Sequence, residues 1–315
     1  MKIGILGCGR IAQKMGNTLK LMGLSKDCYI ASRDILKAKK FKEDYDFFDY
    51  CNYEELLSNK EIELIYIATV NSMHYKQAKW CLEKGKNVLI EKPITLRINE
   101  SEELYALAKS KNLFIGEALW TSYMPSIKII NNYLHKYFTN ITSSLAVFKV
   151  NSIVKERVKK KELGGGALFD LGIYPIAITL LTCGFNYKKL IINNITYQND
   201  VDIKEDFSLI YDNFISRCIV DATFDRISYL EIKNDDYLMQ VTPIECPKNL
   251  KIFKNNQLII DKDISPELTG FEYEINQAID NINNKKYLPT SWDDKKSLLT
   301  LKIMNEIVHF KEDLW

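Results

Sequence analysis

Short apolar runs alternate with amphipathic stretches from Met1 to about Trp120, a pattern typical of strand–helix–strand units. The runs that predict strands are Lys2–Leu6, Tyr29–Ala31, Leu64–Ala68, Val88–Ile90 and Phe114–Ile115. Because helix-length segments separate them, we expect these strands to run parallel in one doubly wound sheet.

Two amphipathic segments show where helices begin and which face they bury. Ile11, Met15, Leu19 and Met22 recur at helical spacing, so one apolar face can lie on the sheet. A later helix is expected to open at Asn99, with Glu102 three residues on as in a capping box.

The pattern changes after Pro125. It predicts a helix over Ser126–Lys136, then a run of short β-rich segments up to Asp261 with no helix between them, which favours an antiparallel sheet. Ser291 and Asp294 suit the start of a final helix, about residues 292–312, that would pack back on the amino-terminal domain. The expected fold class is α/β, with domains at residues 1–120 and 121–315, the second built on an open, mainly antiparallel sheet.

Composition narrows the classes of function. The 315 residues carry 43 Lys plus Arg against 41 Asp plus Glu, a net charge of +2 that argues against nucleic acid as a partner. The most apolar window, Gly172–Phe185, is shorter than the roughly 20 residues of a membrane span. Seven cysteines without a C-x-x-C pair and three scattered histidines argue against a disulfide framework and a metal site. We expect a cytoplasmic protein.

The segment Gly7–Ala12 has the spacing G-x-G-x-x-A between the first predicted strand and the first helix. In that context Gly7 permits a tight turn, Gly9 lets a pyrophosphate approach the backbone amides, and Ala12 lets helix and strand pack closely. The positive end of the helix then faces the anion. The segment predicts a dinucleotide site, with an unliganded glycine turn as the alternative.

The end of the second strand bears on the choice of dinucleotide. An acidic residue there would bind the ribose 2′-hydroxyl of NAD, but Ser32 and Arg33 stand at this place. A guanidinium matches phosphate geometry, and Lys37 adds positive charge one turn on. NADP is therefore favoured over NAD, although Asp34 and the possibility of a solvated Arg33 leave NAD open.

Two further motifs carry candidate chemistry. Glu91-Lys92-Pro93 follows a strand directly, which places Lys92 at the edge of the sheet where ligands bind. Far downstream, Gly164–Pro175 includes Asp170 and Tyr174, which share a face if the segment is helical. Taken singly, the lysine is equally typical of a surface charge, and the second segment of a buried helix.

In their order along the chain, these motifs resemble the Gfo/Idh/MocA oxidoreductase family, named for glucose-fructose oxidoreductase and inositol dehydrogenase. The resemblance covers essentially the whole chain. Because Tyr174 stands where many members of the family carry His, the chain is similar to the dihydrodiol dehydrogenase branch. It implies a Rossmann domain, a second domain whose sheet often forms a dimer interface, a nicotinamide cofactor (NADP or NAD) and a sugar or polyol substrate.

The resemblance also implies roles for individual residues. Tyr174 would move a proton on the substrate oxygen beside Lys92, while Asp170 would orient Lys92 or bind a substrate hydroxyl. The residues expected around the cofactor are Gly7, Gly9, Arg10, Ile11, Ser32, Arg33, Lys37, Thr69, Asn71, His74, Glu91 and Glu117. A structural role for His74 is equally open. Relatives often have Arg where this chain has Ser122, so a contact at that position is in doubt.

Two other functions fit part of the pattern. A non-catalytic dinucleotide sensor would keep the fold but would not need Lys92, Asp170 and Tyr174 together. An enzyme similar to biliverdin reductase would act on a larger apolar substrate, and an apolar pocket would support it.

Overall fold

The computed structural model describes residues 1–309, so residues 310–312 of the predicted final helix lie outside the described part. The chain divides into two compact units. The first consists of Met1–Leu119 and Phe271–Leu298, and the second of Trp120–Gly270 and the chain from Leu299 onward.

The first unit is built on the predicted parallel sheet. Its six strands are β1 (Lys2–Leu6), β2 (Cys28–Ala31), β3 (Asp49–Cys51), β4 (Ile62–Ile67), β5 (Asn87–Glu91) and β6 (Ile115–Ala118). They are ordered β3-β2-β1-β4-β5-β6, and every neighbouring pair is parallel. The order reverses beside β1, and ligands of such sheets bind at this switch point. The edge strand β3 was not predicted from the sequence.

The helices of this unit join successive strands. They are α1 (Arg10–Leu21), α2 (Ile35–Tyr45), α3 (Tyr53–Ser58), α4 (His74–Glu83) and α5 (Ile98–Lys111). Met15 and Leu19 of the predicted stripe are fully buried, whereas Ile11 and Met22 are partly exposed. The predicted cap at Asn99 is wrong, because Arg97 is the N-cap residue of α5. Thr95 fixes this earlier start by donating to the Arg97 carbonyl oxygen at 2.7 Å.

The second unit contains helices α6 (Pro125–Tyr137) and α7 (Ile173–Cys183) and an eight-stranded sheet. Its strands are β7 (Ser143–Lys149), β8 (Lys189–Gln198), β9 (Val201–Ile210), β10 (Ile215–Asp221), β11 (Ile227–Lys233), β12 (Tyr237–Thr242), β13 (Asn249–Lys254) and β14 (Gln257–Asp263). They are ordered β14-β13-β12-β11-β7-β10-β9-β8, and within the described part of this second sheet only β7 and β10 pair in parallel. The mainly antiparallel sheet is confirmed.

Two helices follow the second sheet. The first, α8 (Glu272–Asn283), belongs to the first unit and was not predicted, while α9 (Asp294–His309) begins in the first unit and continues into the second. The start of α9 is held by Asp293, whose carboxylate accepts from the Lys296 amide at 3.1 Å. Ser291, the expected starting residue, instead bonds to Gln277.

The helical stretch Lys161–Cys183 is long and apolar enough to cross a membrane by length and composition, with a mean hydropathy of 1.6. It overlaps the shorter apolar window Gly172–Phe185 that the sequence suggested. Since 78% of its most apolar window is buried inside the fold, it resembles the core helix of a globular protein. Among residues 1–309, no group of three His, Cys, Asp or Glu side chains is placed to hold a metal ion.

Candidate active site

Lys92 lies in a turn whose backbone is held by two buried glutamates. Glu91, the last residue of β5, accepts from the Lys92 amide at 3.3 Å, and Glu117 of β6 accepts from the Ile94 amide at 2.9 Å. Between residues 88 and 95 every residue is buried except Lys92, which is partly exposed. The turn therefore presents this one side chain outward while its own backbone stays fixed.

His74, the first residue of α4, holds the same turn from the side of β4. Its ring is fully buried, and Nδ1 lies 2.8 Å from the carbonyl oxygen of Pro93, so this nitrogen carries a proton and donates it. Nε2 lies 3.4 Å from the carbonyl oxygen of Thr69, whose hydroxyl donates to Gln77 at 2.6 Å. Asn71 is also buried in this region. These contacts join the turns after β4 and β5, and they favour a positioning role for His74.

Glu91 is an acid under two opposing influences. Burial raises its pKa to about 6, while the hydrogen bond from the Tyr66 hydroxyl and the charge of Lys92 act to lower it. At neutral pH Glu91 is therefore ionised, and it places a negative charge at the base of the Lys92 turn.

Glu117 accepts hydrogen bonds from distant parts of the chain. Besides the Ile94 amide, Trp292 Nε1 donates to it at 2.8 Å and Ser297 Oγ at 2.6 Å. Burial raises the pKa of Glu117, and these hydrogen bonds act to lower it. Sequence reasoning missed Trp292 and Ser297 because they lie 175 and 180 residues away, with no local motif to mark them.

The predicted dinucleotide loop fits a pyrophosphate. Gly7 has φ of +104°, and a Cβ there would lie 2.8 Å from the Ala68 carbonyl oxygen, so only glycine suits this turn. A Cβ on Gly9 would meet just that oxygen, at 3.8 Å, which leaves open space at the start of α1. Arg10 and Ile11 form the first turn of α1, whose amide end faces this space.

The residues that follow β2 bear on whether the site can take the 2′-phosphate of NADP. Asp34 is the N-cap residue of α2: its carboxylate accepts from two backbone amides at 3.1 and 3.2 Å and lies 3.5 Å from Lys37 Nζ. The amide of Asp34 in turn donates to Ser32 Oγ at 3.2 Å. Arg33 is exposed next to them. The carboxylate of Asp34 is therefore engaged with its own helix and with Lys37, and Arg33 is the exposed cation beside it.

Tyr174 is the outward-facing residue of a buried helical segment in the second unit. Over residues 166–180 it is the one residue that is not buried. Its hydroxyl oxygen accepts from Trp120 Nε1 at 3.2 Å, and its ring packs edge-on to Phe148 at 5.4 Å between centroids. The phenol is thus oriented by two aromatic side chains, and the residue is partly exposed.

Asp170 lies one turn before Tyr174, on a π-helical turn (Leu168–Gly172) that leads into α7. It is 5% exposed and accepts from Lys155 Nζ at 3.0 Å and from the Arg157 guanidinium. Lys155 and Arg157 lie in the segment between β7 and the glycines at positions 164–166. The charge of the Asp170 carboxylate is therefore balanced within its own unit. Neither partner was expected from the sequence.

The predicted residues thus fall into two groups. Those in the first unit are Gly7, Gly9, Arg10, Ile11, Ser32, Arg33, Lys37, Thr69, Asn71, His74, Glu91, Lys92 and Glu117. The second unit holds Asp170 and Tyr174, together with Ser122, which is buried in the turn Trp120–Tyr123.

A family model described as "Oxidoreductase family, NAD-binding Rossmann fold" matches residues 1–118. This range includes the pyrophosphate turn, the positive end of β2 and the Lys92 turn. Residues 1–118 belong to the Gfo/Idh/MocA oxidoreductase family. The predicted family and Rossmann fold are confirmed there, together with the expected class of cofactor.

Curated relatives extend the similarity past this domain. Over 184 residues the chain is 34% identical to a trans-1,2-dihydrobenzene-1,2-diol dehydrogenase of Xenopus tropicalis, covering 58% of this chain and 55% of the relative. The enzyme of the same name from Homo sapiens is 32% identical over 188 residues, covering 58% and 56%. The chain thus spans little more than half the length of these relatives.

Solved structures share the fold of the whole chain. A 3-ketoreductase from Actinomadura kijaniata, solved with NADP and TDP-benzene, superposes with a TM-score of 0.86 at 21% identity, covering 97% of this chain and 96% of that one. A putative NADPH-dependent oxidoreductase from Desulfitobacterium hafniense gives 0.84 at 17% identity, with 98% and 96% covered. Each of the two sheets therefore has a counterpart in solved structures.

Proposed function

We propose that this protein is an NAD(P)-dependent oxidoreductase that interconverts a hydroxyl and a carbonyl carbon of a sugar, polyol or dihydrodiol. The observation that carries the proposal is the isolated exposure of two ionisable side chains. Lys92 and Tyr174 are each the one residue that reaches the surface from an otherwise buried, rigidly held segment. At both positions a polar side chain reaches the surface, although its neighbours along the chain are packed in the core.

Each candidate residue has a separate role in the proposed reaction. A bound nicotinamide supplies or accepts the hydride. Tyr174 moves the proton on the substrate oxygen through its hydroxyl, which Trp120 holds in place. The Lys92 ammonium stabilises negative charge on the substrate as the carbon is oxidised or reduced. Asp170 keeps the Tyr174 segment fixed through Lys155 and Arg157.

We further propose that NADP is the preferred cofactor. The support comes from Arg33 and Lys37, which leave a positive surface beside β2, and from Asp34, whose carboxylate caps α2. A 2′-phosphate at this place meets the exposed Arg33, while the Asp34 carboxylate is engaged with its own helix and with Lys37.

The test begins with fluorescence titrations of NADPH and NADH, followed by a spectrophotometric screen of aldoses, inositols, ketoses and dihydrodiols. Matched controls are Lys84→Ala for Lys92→Ala and Tyr133→Phe for Tyr174→Phe, since neither Lys84, which pairs with Glu54, nor Tyr133, which stacks on Tyr137, is a candidate site residue. Turnover that survives in the controls and is lost in the site variants supports the proposal. Tight NADPH binding without turnover on any substrate would favour the sensor instead.

We propose, in addition, a cytoplasmic homodimer that associates through the sheet of the second unit. Support comes from exposed apolar side chains on its strands, namely Ile191, Ile215, Leu258 and Ile259. Light scattering on the purified protein, with Ile259→Glu as the disrupting variant, tests the dimer. Cell fractionation tests the location.

A further inference from the structure

Glu274 is a fully buried acid in the first turn of α8, within the first unit. Its side chain is 0% exposed, and neither carboxyl oxygen has a hydrogen-bond partner among the described residues. An ionised carboxylate in this position would lose its hydration without receiving a replacement. Neither the proposed reaction nor the sequence motifs account for this residue.

The groups that act on Glu274 all oppose its ionisation. Burial raises its pKa well above the usual range, and the negative charges of Glu91 and of Glu272 raise it further. The positive groups Lys14 and Lys92 act on Glu91, as does the hydroxyl of Tyr66. The two acids are therefore unequal: Glu91 has partners that stabilise its charge, and Glu274 has none among the described residues.

Two buried acids that influence each other titrate as a pair. The partners of Glu91 favour the negative charge on that residue, whereas burial without hydrogen-bond partners among the described residues favours the protonated form of Glu274. If Glu274 ionised, a second negative charge would favour protonation of Glu91, the residue that accepts from the Lys92 amide.

We propose that Glu274 is a positioning residue that keeps its proton at neutral pH, so that Glu91 carries the charge of the pair and holds the Lys92 turn. The requirement at position 274 is thus an uncharged side chain, which glutamic acid supplies only in its protonated form. The inference about catalysis rests on the proposed function, whereas the protonation of Glu274 does not.

The expected pH dependence has a definite sign. An acid whose pKa is raised by folding makes the folded state bind more protons than the unfolded state, so stability falls as pH rises. For Glu274 this fall begins near the unfolded value of about 4.3 and continues up to its folded pKa. The wild-type unfolding constant should therefore rise tenfold per pH unit relative to that of Glu274→Gln.

The experiment is urea unfolding of the wild type, Glu274→Gln and Glu54→Gln at pH 6.5, 7.5 and 8.5. Glu54 is an exposed glutamate, so its variant controls for the loss of one carboxylate. This range lies above the pKa of Glu91, about 6, so Glu91 adds little to the slope. A ratio of unfolding constants between wild type and Glu274→Gln that grows with pH, by up to about tenfold per pH unit below the folded pKa of Glu274, supports the proposal. A ratio that stays constant overturns it.

Two further measurements keep the test decisive. Glu274→Met must give the same growing ratio, because any uncharged side chain removes the titration. In wild-type protein at pH 7.5, infrared spectroscopy must show a protonated carboxyl band that both Glu274 variants lack. Absence of that band overturns the proposal even where a variant folds poorly.

The role in positioning is read from turnover. Glu274→Gln should keep the loss of kcat below pH 6 that follows protonation of Glu91, whereas Glu91→Gln should abolish it. A shift of this limb to lower pH in Glu274→Gln would mean that Glu274 is charged, and would refute the inference. If no substrate turns over, the proposed function fails, but the unfolding and infrared results still decide the state of Glu274.

Discussion

Replacement of Glu117 by glutamine should destabilise the first unit by a calculable amount. One carboxylate oxygen accepts from the Ile94 amide, and the other accepts from Trp292 Nε1 and Ser297 Oγ. In Glu117→Gln an NH2 group must replace one of these oxygens. The serine hydroxyl can rotate to accept from it, but an N–H of either Ile94 or Trp292 is then left unpaired.

One unpaired buried donor costs about 1–3 kcal/mol, so that is the expected loss in the free energy of unfolding for Glu117→Gln. Glu117→Ala leaves both N–H groups unpaired and should cost about 2–6 kcal/mol. Ser297→Ala leaves no donor unpaired and should cost about 0.5–1.5 kcal/mol. The predicted loss of stability is therefore largest for Glu117→Ala, intermediate for Glu117→Gln and smallest for Ser297→Ala, whichever way the glutamine amide is oriented.

Urea unfolding at pH 7.5 measures all three, and unchanged m-values would show that the unfolding reaction is the same. The reasoning would be refuted if Glu117→Gln unfolded within about 0.5 kcal/mol of the wild type, or if it lost as much stability as Glu117→Ala. Either outcome would mean that the oxygens of Glu117 do not hold the donors assigned to them.

Three predictions concern activity and binding. Lys92→Ala and Tyr174→Phe should each lower kcat about a hundredfold or more with unfolding midpoints near the wild type, and steady-state kinetics with denaturation curves check both. Arg33→Ala should weaken NADPH binding about ten- to a hundredfold and NADH little, since a charge-assisted bond to phosphate is worth roughly 1.5–3 kcal/mol; equal effects in fluorescence titrations would contradict this. Turnover should fall as pH drops through about 6, where Glu91 gains a proton, and a kcat profile that lacks this fall would count against the role given to Glu91.

The sequence predicts best where one local pattern decides the structure. The parallel strands are long apolar runs, and the glycines at 7 and 9 stand where a strand meets a helix, so periodicity and turn chemistry suffice. The strand β3 was missed because its three residues lie at the edge of the sheet and are not fully buried. The cap of α5 was misplaced because Thr95, outside the helix, fixes its start.

The contacts around the site were less predictable, since they join residues far apart in the chain. No local spacing relates Glu117 to Trp292, or Glu91 to Glu274. Residues Phe271–Leu298 return to the first unit through α8, whose polar composition gave no clear signal of a helix. Motifs therefore identified the outward-facing Lys92 and Tyr174, but not the buried groups that hold them.

The turn at Lys92 separates the requirements of folding from those of chemistry. Its backbone is fixed by Glu91, His74 and Glu117, none of which bonds through the lysine side chain in these contacts. These hydrogen bonds do not use the side chain of residue 92, so they can remain when that side chain is exchanged. A single substitution of Lys92 would then give a protein that still binds its cofactor but no longer catalyses the proposed reaction. The same position offers a protein engineer a rigid place to introduce a different reactive group.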